Sequence, residues 1–99
     1  MATGYPIQDG RKVVASSATA ERLVSTPSLC SQVLIQAETD NTGVILVGGS
    51  ATLDHAATAR TGAVLTAGNS ITLPVKELYD VYILASVNGD GVTFVYLNE

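Results

Sequence analysis

The sequence predicts an all-β protein: a single small antiparallel β-sandwich or jelly-roll-like barrel of about seven to eight strands, with an extended N-terminal arm. Three observations predict it. Short apolar runs recur along the chain, separated by clusters of Gly, Asn, Asp, Pro and Ser. Those runs are rich in Val, Ile, Leu and Tyr, several of them residues that fit a pleated surface. No amphipathic helix of normal length and no long-period repeat is present.

Taken in order, residues 1–10 read as the arm, because Gly4, Pro6 and Gly10 interrupt any regular pattern. Tyr5 and Ile7 make it apolar enough to dock on a neighbour. The sandwich domain is expected over residues 11–99. KVVAS (12–16) opens it, followed by TAERLVS (19–25) and a loop set by Pro27. QVLIQA (32–37) and GVILV (43–47) read as a hairpin across ETDNTG, whose Asp40, Asn41 and Gly43 tolerate tight turns. Residues 50–62, rich in Ala and Thr, show no wide apolar stripe and read as a loop with at most one short strand or helical turn. AVLTAGNSITLPV (63–75) gives a strand, a Gly68-Asn69 turn and a second strand. Pro74 confines that second strand to a sheet edge or its end. KELYD (76–80) connects to VYILASV (81–87) and VTFVYL (92–97), joined by Asn88-Gly89-Asp90-Gly91, a strong hairpin signal.

Bulk composition narrows the function. Ninety-nine residues make one domain with one modest core. Charged residues are 14% of the chain, against about 25% in ordinary soluble domains, so part of the surface is not built for water. The net charge is −4, and of the five cations only Arg11 and Lys12 are adjacent. Phosphate backbones and anionic lipid surfaces are bound by clustered Lys and Arg, so neither nucleic acid nor membrane is an expected partner. No apolar run approaches the ~20 residues that span a bilayer, and the start has no signal-peptide pattern. Cys30 stands alone and reads as a small buried hydrophobe.

Apolar patterning raises a further expectation. In the strands of both hairpins, alternation fails: Leu34, Ile45, Val47, Tyr82, Leu84, Val95 and Leu97 lie opposite the residues assigned to the core, and Leu23 joins this outward set. If half of them are covered by partners, about 1.5–3 kcal/mol per side chain gives on the order of 10 kcal/mol per copy. Association costs an estimated ~4–15 kcal/mol, a comparable amount. A homo-oligomer is therefore expected over a monomer whose long side chains wrap the barrel ends. The expected interface comprises Tyr5, Pro6 and Ile7 of the arm with Leu34, Ile45, Val47, Tyr82, Leu84, Val95 and Leu97.

Chemistry is hard to find. His55 is the single histidine and follows Asp54 directly, but adjacent residues on a strand face opposite ways, and no nucleophile elbow exists. Zinc needs several Cys or His, and the chain has one of each. Glu38, Asp40, Asn41, Asn88 and Asp90 are oxygen ligands of the kind calcium takes, yet turn chemistry accounts for them and the calcium-loop spacing is missing. Gly48-Gly49-Ser50 lacks the P-loop Lys and the following helix. Tyr5, Tyr79, Tyr82 and Tyr96 offer a sugar-stacking platform without tryptophan. No catalytic residue, cofactor or metal is expected, and the chain is not expected to be an enzyme.

The series C-S-Q-V-L-I-Q-A (30–37), N-T-G-V-I-L-V-G-G (41–49), L-T-A-G-N-S-I-T-L-P-V (65–75) and L-Y-D-V-Y-I-L-A-S-V-N-G-D-G-V-T-F-V-Y (78–96) resembles small β-sandwich virion proteins of tailed bacteriophages. The resemblance spans residues 12–97 and rests on strand and turn patterns. It implies a capsid decoration (cement), head-fibre or tail protein, made in the host cytoplasm and carried on the virion. It also implies symmetric oligomers, commonly trimers, with the major capsid protein or another virion protein as partner. A decoration protein bridging major capsid subunits is the first expectation. A tail or fibre component and a carbohydrate-binding module are the alternatives.

Overall fold

A computed structural model describes residues 7–56 and 60–98. Eight strands form two antiparallel sheets, with one 3-10 turn at Leu78–Asp80. Sheet A runs in the order β1 (Ile7–Val13), β8 (Gly91–Asn98), β3 (Cys30–Ala37), β6 (Ser70–Leu73). Sheet B runs β2 (Glu21–Arg22), β7 (Tyr82–Ala85), β4 (Ile45–Gly48), β5 (Ala63–Leu65). The fold is the small all-β sandwich that the turn spacing predicts.

Between the sheets lies one main core. Val33, Ile35 and Ala37 of β3 meet Val92 and Phe94 of β8 from one side. Ile45 and Val47 of β4 and Ile83 and Ala85 of β7 meet them from the other. Strand side chains alternate between faces, so these residues at i and i+2 share the inner one. Gly10 lets the core reach the edge strand: the Phe94 ring lies over it, and a Cβ there would stand 2.5 Å from Phe94 Cζ.

Three expectations need correction. The first strand begins at Ile7, not Lys12, so residues 7–10 of the expected arm are paired with β8, Ile7 opposite Leu97 and Gly10 opposite Phe94. Tyr5 and Pro6 lie outside the described residues. The second correction concerns the hairpins. QVLIQA and GVILV are not partners: β3 pairs with β8 and β6, whereas β4 pairs with β5 and β7. The connections β5 to β6 and β7 to β8 likewise cross between sheets.

Backbone geometry at the two reversals is not that of the hairpin turn the sequence suggests. A two-residue type I′ hairpin needs positive φ at both central residues. Gly89 has φ of 89°, but no described non-glycine residue has positive φ, so Asn88 does not. The Asp90 N–H donates to the Val87 carbonyl, 3.3 Å, closing a four-residue reversal with Gly89 third that passes from one sheet to the other. Gly68, with φ of 83°, sits third in the reversal closed by the Asn69 N–H to Thr66 carbonyl bond, the place a type II turn reserves for glycine.

The third correction follows from the second. Because β4 belongs to sheet B, its inner face is set by β7 and β5. Ile45, at 0% exposure, and Val47, at 3%, point into the main core. Leu46 takes the outer side. Leu23 is also a core residue, 2% exposed.

Candidate functional site

Both ends of the sandwich are held by side chains substituting for ladder partners. At one end, the buried Asp90 carboxylate accepts the N–H groups of Thr42, 3.2 Å, and Gly43, 2.8 Å. The Asn41 side-chain amide donates to the Gly91 carbonyl and accepts the Gly91 N–H. The two connections that carry turn-forming acids and amides are thus stapled to each other. At the opposite end, Glu77 accepts the N–H groups of Ser28 and Tyr79 and caps the 3-10 turn.

These contacts decide the sequence-flagged chemistry. Glu38 pairs with Arg11 through two contacts, and the Asn88 amide oxygen accepts the Ser17 N–H at 2.7 Å. The oxygens that a calcium ion would require are taken by protein donors, Asp40 excepted. Among the described residues no group of three His, Cys, Asp or Glu side chains is placed to hold a metal. His55 Nε2 lies 2.9 Å from the Ser17 carbonyl oxygen, tying the 49–62 segment to the chain before β2. Tyr79 and Tyr82 enclose the Arg22 guanidinium, at 3.9 and 4.7 Å from their ring centres. Tyr96 stacks on Phe94 against the core. These three tyrosines form no common platform, and Tyr5 is outside the described residues.

Lys12 and Glu21 join the β1 and β2 edges across the gap between the sheets, Nζ to Oε1 2.7 Å. The Lys12 ammonium holds the Glu21 carboxyl below its ordinary pKa, against partial desolvation that pushes it up; the Ala15 N–H adds to the lowering. Beyond this pair, a cleft of about 650 Å³ opens between β1 and the segment after β2. Its wall residue Phe94 is 6% exposed and spends its ring on Gly10.

What remains is surface, and the two outer faces differ sharply. On sheet B, Leu46 and Leu84 are 0% and 2% exposed, because Ala20, Val44, Leu53 and Tyr82 pack over them as a second cluster. Of the expected interface residues, Leu84 is therefore enclosed within one protomer and Tyr82 partly so. On sheet A, nothing in the described chain covers the outer face. Leu34 and Val95 sit directly opposite each other there, 41% and 42% exposed. Leu97, half-buried, and Ile7, 72% exposed, are opposite each other one step along.

Paired residues on antiparallel strands point the same way, so Ile7, Leu97, Val95 and Leu34 form one diagonal apolar strip. The structure gathers these four of the expected set and withdraws Ile45, Val47, Tyr82 and Leu84. Sequence reading missed two residues beside the strip, Gln32 and Thr72, and missed Leu53 as the cover of sheet B. Alternation in SITLPV signals Thr72; in QVLIQA, where Leu34 breaks it, only the Gln32-Val33 step signals Gln32. Leu53, alone among Ala, Thr and Asp, carries no periodic signal.

The fold and this surface define a small two-sheet β-protein with one sheet face that the described residues leave uncovered. Neither a family model, nor a curated protein, nor a solved structure matches the chain.

Proposed function

We propose that this protein is a virion structural protein, a capsid decoration protein that acts by contact, stabilising a phage head by bridging major capsid subunits. One observation carries the reading: the outer face of sheet A presents Ile7, Leu34, Val95 and Leu97 with no cover from the described chain. A contiguous apolar patch rimmed by polar groups is a contact surface. The low charge and the strand-and-turn resemblance to phage head and tail proteins support the same reading. Added buried area across subunit joints makes each joint resist internal pressure, without a reaction.

The test is co-sedimentation with empty, expanded heads of the phage that encodes the chain, followed by heating. Saturable binding and a higher temperature of head disruption are expected. A chain that stays off the heads at high concentration refutes the role.

A further inference from the structure

We infer that a second copy of this chain packs on the outer face of sheet A, with Ile7 of each copy entering a dent on the other. The dent, about 260 Å³, is bounded by Gln32, Leu34, Thr72, Val95 and Leu97. Ile7 stands beside it on the neighbouring edge strand, 72% exposed and opposite Leu97. An exposed branched side chain and a hollow walled by Leu34, Val95 and Leu97, with Gln32 and Thr72 at its rim, thus share one face.

Charge favours a copy as the occupant. The chain carries net −4, so two copies repel unless they meet over uncharged surface. The outward positions of three strands are free of charge: Thr93, Val95 and Leu97 on β8, Gln32, Leu34 and Gln36 on β3, Ser70 and Thr72 on β6. Two acidic copies meet there without burying an ion. The Gln, Ser and Thr groups around the strip both donate and accept, so they are complementary to themselves. Asp9 and Arg11, of opposite sign, stay on β1 at the margin.

Symmetry follows. A knob and a hollow on the same face interlock reciprocally about a two-fold axis, an isologous pair. A three-fold ring, the number the family resemblance implies, would need them on different faces. Three charge-free strands at about 4.8 Å and some 20 Å of length, with Ile7 added, give roughly 300 Å² in projection per copy, a small and weak contact. Pairing is therefore concentration-dependent.

This inference rests on the contact role proposed above and is tested separately from it. Light scattering of the full chain from micromolar to millimolar concentration should show mass rising from one chain to two. Ile7→Asp and Leu34→Asp should each hold it at one chain, while Val64→Asp, exposed on the other sheet, leaves pairing intact. Should those variants unfold, cross-linking decides. β1 and β6 are opposite edges of sheet A, about 14 Å apart, so cysteines there cannot bridge within one copy. An oxidised Ile7→Cys, Thr72→Cys double variant should close into a covalent dimer, Cys30 being buried. A single chain at every concentration, a three-chain mass, or no covalent dimer overturns the pairing. A chain that stays single yet binds heads refutes this inference alone; a paired chain that ignores heads refutes the capsid role alone.

Discussion

The outer faces of the two sheets start from similar material and end differently. Each carries large apolar side chains at its centre: Leu46 and Leu84 on sheet B, Leu34 and Val95 on sheet A. The centre of sheet B, Leu46 and Leu84, is sealed by the chain itself through Leu53, Val44 and Ala20, while Val64 at its β5 edge stays exposed. Sheet A keeps its apolar strip in water. Apolar patterning therefore marks a side chain as needing cover, but does not say whose.

Substitutions sharpen this contrast, the largest effects first. Leu46→Ala or Leu84→Ala should cost about 2–5 kcal/mol of stability, the range for deleting a buried leucine. Leu34→Ala or Val95→Ala, in dilute solution, should cost less than about 1 kcal/mol. Urea unfolding with unchanged slope measures both, and equal costs would break the distinction. Asp90→Ala, which leaves the Thr42 and Gly43 N–H groups without their acceptor, should cost about 1–3 kcal/mol. It acts on a staple shared by both sheets, so it should leave self-association unchanged at equal folded concentration.

Leu53→Ser should cost about 1–2 kcal/mol and turn sheet B toward the condition of sheet A, with new binding of an apolar fluorescent dye. Unchanged dye binding would mean that Leu53 is not the cover. Smallest is Glu21→Gln, up to about 1 kcal/mol for a partly exposed ion pair. Because the Glu21 pKa is lowered in the fold, its contribution is complete above the unfolded value of ~4.3 and fades as pH falls through the folded value. Wild type and variant should differ at neutral pH and converge in acid, a comparison made by urea unfolding at each pH.

Strand positions were largely legible. QVLIQA, SITLPV, VYILASV and VTFVYL all contain strands near their expected limits, because β-rich runs between turn residues leave few alternatives. On β3, β7 and β8 the inward and outward sides were also legible. On β4 they were not, and Ile45 and Val47 moved from the expected contact surface into the core. Alternation assigns a strand two sides, but only its neighbours say which is inner. Of the expected contact residues with a described position, Ile7, Leu34, Val95 and Leu97 lie on the outer face of sheet A.

By itself, the sequence determined that the chain folds as short strands, where it turns, and that more apolar sheet exists than one interior holds. Those are local properties: propensity, period and turn chemistry act within a few residues. Tertiary structure alone decided that successive strands cross between sheets, that Leu53 covers Leu46 and Leu84, and that no described segment covers Leu34 and Val95. A turn reverses the chain equally well within a sheet or between two. Which occurs depends on the burial that distant strands offer each other, and that sum is made only in the assembled fold.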